Sequence, residues 1–527
     1  MTRITEQDVF DYIVVGAGTS GCVVASRLAE DPNVKVLLLE AGGPDNYDVI
    51  EYPAVPNLFL SWQDPRIAHD FPMQQHAFGE SRWPQVPWPA MRRGRVRGGS
   101  HSINGMVYIR GNRRDFDLWA SLGNPGWSFD EVLPYFKKSE DFQLGADTYH
   151  GGDGPMPVRL IRKPTEVARA FCETGPTLGF AGPDWDFNGP QQEGGTGTFQ
   201  FTRTANGRRA STAYAFIESQ PAKPNLVEHL TAHAARLVFE GNRAVGVDCL
   251  IDDSRVSARP NVGQSFRARE EIIVCAGAIE SPKLLMLSGL GRPERLRQLG
   301  IPCQYPLPGV GQNLIDHLLV VMFFESHPGL MGCEVTAESC LFTYTSRRSR
   351  ALAPDLQYHV SGKIDAITPP VFPKENFIVC PTLVQPESIG FLDLMSNDPR
   401  HDPYIQPHYL QTEQDIRVLY EGIELAREFA NASPLKEFNR GELKPGKDAD
   451  LVKAIKEQHI TVWHPVGTCK MGRDGMSVVD PELRVYGVDG LRVADASIMP
   501  TIPAGNVNAA CAMVAEKVAD LIRFGRG

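Results

Sequence analysis

The glycines at 16, 18 and 21 constrain this chain more than any other feature. They form Gly16-x-Gly18-Thr19-Ser20-Gly21 directly after the apolar run Phe10–Val15, and Glu40 closes the next apolar run, Val34–Leu39. Glycines at this spacing permit a tight turn and let backbone N–H groups approach a pyrophosphate, while the helix that follows adds partial positive charge at its N-terminus. An acid about 20 residues further on can bond ribose hydroxyls. Strand, glycine turn, helix through Leu28 and second strand therefore predict a dinucleotide-binding unit. The turn alone does not choose between FAD and NAD.

A chain of 527 residues exceeds one ordinary core, so two domains are expected. The net charge of −10 repels polyanions and excludes a nucleic-acid partner. No window reaches the ~18 apolar residues of a membrane helix, so no membrane span is expected. The first apolar run enters the glycine turn with no basic region or cleavage site, which speaks against an export signal. Ten cysteines are scattered without a CxxC or metal-like spacing. They read as buried thiols of a reducing compartment, so a cytoplasmic protein without a metal is expected.

Residues 51–95, rich in Pro, Trp and Arg, read as a long extended excursion. Trp119–Lys138 reads as helical. Leu226–Leu230, Ala234–Phe239 and Ala244–Cys249 alternate as strands, with a turn at Gly241-Asn242. Glu271–Cys275 and Leu491–Ala494 are apolar runs of the kind buried in a parallel sheet. Between about 320 and 450 the pattern changes to alternating strands and two polar helices, around Thr412–Phe429 and Asp448–Gln458. Phe323, Phe324, Phe342, Tyr358 and Phe372 fall there and suit either a substrate wall or core packing. A final helix starts near Asn508. This order fits an α/β domain interrupted by a second domain.

Six further blocks narrow the reading. Glu40-Ala41-Gly42 continues as in glutathione-reductase-type FAD folds. Gly98-Gly99-Ser100-His101-Ser102-Ile103-Asn104-Gly105-Met106 comes next, then Ala276-Gly277-Ala278-Ile279-Glu280-Ser281-Pro282. Pro308-Gly309-Val310-Gly311-Gln312-Asn313-Leu314-Ile315-Asp316-His317 follows. His464-Pro465-Val466-Gly467-Thr468-Cys469 and Ala494-Asp495-Ala496-Ser497 lie near the end. In this order the blocks resemble the glucose–methanol–choline (GMC) family of flavin oxidoreductases. Within it they are most similar to choline dehydrogenases, sorbose dehydrogenases and hydroxymethylfurfural-type alcohol oxidases. The resemblance covers nearly the whole chain.

The resemblance implies an α/β plus α+β architecture: a discontinuous glutathione-reductase-type FAD-binding fold with an inserted substrate-binding domain on an antiparallel sheet. It divides the chain into 1–155, 200–315 and 455–527 for FAD and 156–199 and 316–454 for substrate. Gly98 and Gly99 would let the main chain pass the flavin ring, with Ser102 in the same turn. Asn104, Gly105, Met106 and Val107 would offer donors to its N5 and pyrimidine edge. Ala234 would present main chain to the adenine. Ala276, Gly277, Asp495, Ala496 and Val507 would complete the cradle. A buried Asp495 needs a partner, and a cofactor hydroxyl is a reasonable one.

For chemistry the resemblance points to His464, a neutral imidazole able to accept the alcohol proton as a hydride leaves for the flavin. The family pairs this histidine with a His or Asn some 40 residues later, which matches Asn508. The helix that Asn508 opens would direct its positive end at the flavin. His317 reads as structural or near the channel. The substrates implied are small-molecule alcohols, with oxygen or another acceptor taking the electrons. Lyases and photoactive decarboxylases share the fold, but the presence of both His464 and Asn508 speaks against them. The same pair speaks against a non-catalytic flavin-binding scaffold.

Three departures bear on function. Where some GMC enzymes tether FAD through a His, this chain has Ile103, and His101 lies two residues too early. Non-covalent FAD is therefore expected. Choline oxidases carry a Glu two residues after the Asp-His pair; here Leu319 stands there, which makes choline a poor substrate. Val462-Trp463-His464 resembles the hydroxymethylfurfural-type oxidases. Trp463 would wall the substrate site with Val462 near the flavin, hinting at aromatic or furanic primary alcohols. Trp463 could equally be a core residue.

Overall fold

A computed structural model describes residues 9–74, 90–251 and 262–525. Part of the 51–95 excursion lies outside these residues. Within it, Val55–Gln63 is helical, and Ala68–Pro72 pairs with Ala90–Gly94.

Val9–Val15 is buried along nearly its whole length, as a strand must be when helices cover both faces of its sheet. It pairs in parallel with Val36–Leu39 on one side and Val262–Val274 on the other. Leu226–His229 extends the sheet beyond Val36–Leu39, and Leu491–Val493 joins Val262–Val274, both in parallel. The hairpin Ala232–Glu240 and Arg243–Ile251 completes seven strands. The predicted runs around 226–249, 271–275 and 491–494 are thus strands of one sheet.

Thr19–Leu28 crosses from the first strand to the second and packs against the closing helix, Asn508–Phe524. Ser20 Oγ donates to the Cys511 carbonyl at 3.1 Å, and Arg27 grips the buried Glu516 at 2.9 and 2.7 Å. A bidentate guanidinium–carboxylate pair is among the stronger polar contacts, because each oxygen meets its own N–H. Here it ties the last turn of Thr19–Leu28 to the middle of Asn508–Phe524. The expected helix over 119–138 is two helices, Arg113–Ser121 and Phe129–Ser139, each begun by a capping box.

The second sheet has eight strands, all antiparallel in their pairings. Its path is Gly441–Lys444, Met322–Glu325, Asn376–Leu383, Leu356–Ser361, Ser339–Thr343 and Gly195–Thr198. Leu318–Val320 bridges Asn376–Leu383 to His459–Thr461. The helix Glu413–Asn431 covers one face, so strands such as Leu356–Ser361 are buried on both sides. Ten cysteines are free; eight are buried, Cys333 is half-buried and Cys303 is exposed, against the expectation of uniformly buried thiols.

A small third sheet holds Glu140–Phe142, Met156–Leu160 and Gln200–Thr202, and it steadies 106–108. Tyr108 N donates to Gln200 O at 2.8 Å, and Thr202 N to Met106 O at 2.8 Å. Beneath it the fully buried Arg110 binds Glu140 Oε2 at 2.6 Å, and His150 bridges Glu140 (3.1 Å) and Asp186 (2.8 Å). Burial opposes charge on His150, but hydrogen bonds from Asp186 and Glu140 outweigh it and raise its pKa to about 9. A pKa raised on folding stabilises the fold fully below the unfolded value, about 6.5, and that stabilisation is lost as pH rises through about 9. The melting temperature is expected to fall between those limits, and His150→Gln is expected to flatten the fall. Equal slopes in thermal melts of the two proteins would refute this role.

Candidate active site

One cavity of about 420 Å³ runs from the glycine turn to His464. At the first end Gly16, Gly18, Thr19 and Ser20 meet Glu40, Ala41 and Ala234, with Ala276 and Gly277 opposite. Gly16 has φ +97°, and a Cβ there would lie 2.6 Å from Cys275 O. Gly99 has φ +56°, and its Cβ would lie 2.7 Å from Gly18 Cα. Two backbone turns therefore touch where only glycines fit. The Thr19–Leu28 helix begins at Gly18 with no side-chain cap and no acid in its first turn. Its free N–H groups sit on the cavity wall.

At the other end, His464 is held from several sides. Its backbone N–H donates to Asp316 Oδ1 at 2.8 Å, and Asp316 Oδ2 accepts the hydroxyls of Tyr409 and Thr461. The preceding carbonyl, of Trp463, accepts from Arg93 at 2.6 Å. Trp463 itself sits at φ +58°, a left-handed conformation costly for a bulky residue. Its N–H donates to Thr461 Oγ1 at 2.8 Å, and these contacts hold the strained turn.

The hydrogen bonds also settle which imidazole nitrogen is free. His317 Nε2 faces the Val384 carbonyl at 3.1 Å, and a carbonyl only accepts, so that nitrogen carries hydrogen. Burial lowers the His317 pKa to about 3, so the ring is neutral and its Nδ1 is a bare acceptor. His464 Nδ1 lies 3.1 Å from that acceptor and must donate to it. This leaves His464 Nε2 with a lone pair, and the Asn506 amide nitrogen stands 3.2 Å from it. Burial foremost, then His317, His359 and Arg93, holds the His464 pKa well below 6.5. The site thus presents a neutral imidazole base with its lone pair turned to an amide donor on the cavity wall.

The family models for GMC oxidoreductases match residues 10–319 with the N-terminal domain and 386–515 with the C-terminal domain. The chain belongs to the GMC oxidoreductase family. This GMC oxidoreductase is 39% identical to an oxygen-dependent choline dehydrogenase of Klebsiella pneumoniae, over 98% of this chain and 96% of that protein. It is 38% identical to an oxygen-dependent choline dehydrogenase of Escherichia coli, over 98% and 95%. Among solved structures, pyridoxine 4-oxidase from Mesorbium loti superposes with a TM-score of 0.86 at 30% identity, covering 98% of this chain and 99% of that one. Formate oxidase gives a TM-score of 0.86 at 25% identity, covering 99% of each. The chain is an FAD-dependent alcohol oxidoreductase with the mixed α/β fold expected of it.

The cavity of this GMC oxidoreductase fits FAD. The uncapped helix end and the close Gly18–Gly99 contact suit a pyrophosphate near the main chain. Glu40 lines the wall and is itself positioned by the N–H groups of Ala17 and Gly42, each at 2.8 Å. Asn104, Gly105, Met106 and Val107 line the stretch towards His464, as do Ala496, Val507 and Asn508. Met106 has φ +62°, and Asn104 Oδ1 accepts its N–H at 2.9 Å.

Several expectations need correction. The amide that meets His464 belongs to Asn506, not Asn508. Asn508 Oδ1 accepts from Thr19 Oγ1 at 2.7 Å, and its Nδ2 rests 3.2–3.3 Å from both ring nitrogens of His101. That amide is committed to holding the two helix N-termini together. Asp495 needs no cofactor hydroxyl to be satisfied: it accepts from Gly277 N, Ser281 Oγ and Ser497 N. Gly21, Gly98 and Ser102 do not reach the cavity and shape the turns behind it. A Cβ on Gly98 would lie 2.2 Å from Ser102 Oγ, which donates to Arg97 O. None of the aromatic residues singled out over 320–450 lines the cavity; Phe323 and Phe372 meet edge-on at 5.4 Å.

The substrate end is apolar and aromatic. Leu319 and Val462 line it with Val321, Ile364, Ile367, Ile378 and Ile460. Trp463 faces Trp62 at 5.2 Å, and Trp62 meets Phe59 edge-on at 4.9 Å. Sequence reasoning missed Phe59, Trp62, Arg93, Asn506 and His359, all on the wall. His359 had a legible signal: Gln357, His359 and Ser361 alternate with Leu356, Tyr358 and Val360 in one buried strand. A polar face on a fully buried strand has to look into something polar.

Proposed function

We propose that this protein oxidises a neutral primary alcohol, aromatic or furanic, to its aldehyde. His464 Nε2 accepts the hydroxyl proton. The observation that carries this is the unprotonated Nε2 of His464, fixed through His317 by the Val384 carbonyl and met by the Asn506 amide. FAD, when bound, supplies the hydride acceptor.

The substrate oxygen binds against both His464 Nε2 and Asn506 Nδ2, which lie 3.2 Å apart. The imidazole takes the proton, and the amide donates to the oxygen as negative charge develops there. Asn506 Oδ1 is buried, with the His359 ring beside it. His464 stays neutral in the resting site, because burial and the neighbouring rings oppose a second proton. The apolar wall excludes water from the proton transfer, and Trp463 with Trp62 offers ring faces to a flat substrate.

The names of the choline dehydrogenase relatives support a second reading, choline itself. Among the described residues on the wall the carboxylates are Glu40, Glu280 and Asp495, and Glu40 and Asp495 are bound up at the nucleotide end. Near His464 stand Leu319 and the buried guanidinium of Arg93, which repels a quaternary ammonium. Both favour a neutral alcohol. Each of benzyl alcohol, 5-hydroxymethylfurfural, 1-hexanol and choline, mixed anaerobically with the FAD-loaded protein, tests this directly. Benzyl alcohol or 5-hydroxymethylfurfural is expected to bleach the flavin at least about 10-fold faster than choline, since one misplaced charge costs more than about 1.4 kcal/mol. Faster bleaching by choline would decide for the second reading.

Oxygen is the proposed electron acceptor, and hydrogen peroxide is expected when the best substrate is turned over in air. FAD is proposed to be non-covalent: His101, the histidine nearest the tethering position, has Thr202 Oγ1 at 2.9 Å on Nε2 and the Thr212 N–H at 3.2 Å on Nδ1. Acid precipitation should leave the pellet colourless.

A further inference from the structure

Asp115 lies outside the cavity wall, yet its carboxylate joins the two segments that build the reacting end. It is the third residue of Arg113–Ser121 and is 1% exposed. Its Oδ2 accepts the N–H of Asn112 at 2.9 Å, closing the capping box, and also the N–H of Ala504 at 2.7 Å. Its Oδ1 accepts Gln385 Nε2 at 3.1 Å. The same Gln385 nitrogen donates to Ile502 O at 2.9 Å, and Arg348 donates to Gln385 Oε1 at 3.3 Å. A capping box needs only the first of these bonds. The others fasten chain near 385 and 504 to the helix.

Both fastened segments end at the base. The residue before Gln385 is Val384, whose carbonyl fixes the His317 tautomer and through it that of His464. Two residues beyond Ala504 is Asn506. The turn between is pressed close. A Cβ on Gly111 (φ +100°) would lie 2.8 Å from Pro503 Cβ, and one on Gly505 (φ +119°) would lie 2.6 Å from Ile109 Cγ2. Three N–H donors converge on Asp115, so only a group that accepts on both oxygens satisfies them all.

We propose that Asp115 is a positioning residue for alcohol oxidation, whose carboxylate sets the placement of Asn506 and of the Val384 carbonyl against His464. This rests on the roles given above to His464 and Asn506. An amide at 115 would turn its NH2 either on Gln385 Nε2 or on two backbone N–H groups, so at least one tie is lost. A displacement of a fraction of an ångström at Asn506 then slows the chemical step while leaving substrate binding in the apolar pocket intact.

The test is anaerobic stopped-flow reduction of the full-length, FAD-loaded protein by whichever alcohol of the panel above reduces it fastest. Asp115→Asn is expected to lower the limiting rate about 10- to 100-fold. Its half-saturation constant should stay within about twofold and its FAD content unchanged. In an Asn506→Ala background the same change is expected to cost clearly less than it does alone, because one of the two groups it places is gone and only the route through the Val384 carbonyl remains. A wild-type limiting rate in Asp115→Asn overturns the proposal, as does an undiminished loss in the Asn506→Ala background. Should Asp115→Asn fail to fold, Gln385→Met leaves the capping box intact and carries the same cycle. Its expected loss is about 3- to 10-fold, and a wild-type rate there overturns the proposal as well. Asn506→Ala and His464→Ala alone report on the underlying reading, so failure of that reading shows in the single variants.

Discussion

His464→Ala is expected to slow reduction of bound FAD by alcohol about 10²-fold or more, with FAD content unchanged. The imidazole Nε2 is the proposed acceptor for the hydroxyl proton, and nothing beside it replaces that lone pair. Asn506 is an amide whose nitrogen only donates. His317 Nδ1 is turned to the His464 ring, and His359 Nδ1 to Thr382 Oγ1 at 3.0 Å. The cofactor's proposed anchorage lies at the opposite end of the cavity, in the glycine turn, so its retention separates a chemical defect from a binding one. The wild-type pH profile offers an independent check. Burial and the neighbouring rings hold the His464 pKa well below 6.5, so the base stays unprotonated as pH falls through that value. The limiting rate should therefore show no loss centred near 6.5. Stopped-flow traces of the two proteins decide the matter; equal rates would remove His464 from the mechanism.

Gly21→Ala is expected to yield protein largely free of FAD. A Cβ at 21 would lie 1.8 Å from the Gly16 carbonyl oxygen and 2.9 Å from its carbon. Gly16 has little room to retreat, since its φ is +97° and its N–H is bound to Leu39 O at 2.8 Å. The first turn of Thr19–Leu28 must move instead, and with it the N–H groups on the cavity wall. Overpacking of this kind costs about 1–3 kcal/mol, which corresponds to roughly 10- to 100-fold in FAD affinity. The ratio of flavin to protein absorbance after purification measures it, and full occupancy in the variant would refute the role given to this turn. The side chain at 21 never needs to touch the cofactor for this outcome.

The glycine turn was legible because backbone chemistry alone dictates it: tight turn, helix start and acid follow one another within a single βαβ unit. The ordered blocks from Gly98 to Ala496 carried the fold class and pointed to His464 as the proposed base. Asn506 was not legible. Asn506 and Asn508 are two residues apart with a valine between, and both suit a partner at a spacing of some 40 residues. Only the packing separates them, since Asn508 opens the helix and turns to Thr19 and His101, while Asn506 precedes it and turns to His464. The helices Arg113–Ser121 and Phe129–Ser139 were read as one helix over Trp119–Lys138, because the break at 122–128 is short. The aromatic wall of Phe59 and Trp62 lay in a stretch without periodicity, so no pattern marked which faces point inward.

The amino-acid sequence by itself determined where the dinucleotide is proposed to lie, from Gly16 to Glu40, because these requirements are local to the main chain. It also determined that an imidazole at 464 is the candidate base. Which nitrogen of that imidazole is free, and which amide faces it, only the tertiary structure decided. Those answers depend on a carbonyl at 384, a ring at 317 and a loop at 506, brought together from remote parts of the chain. A tautomer is set by its hydrogen-bond partners, and no sequence spacing encodes who those partners are.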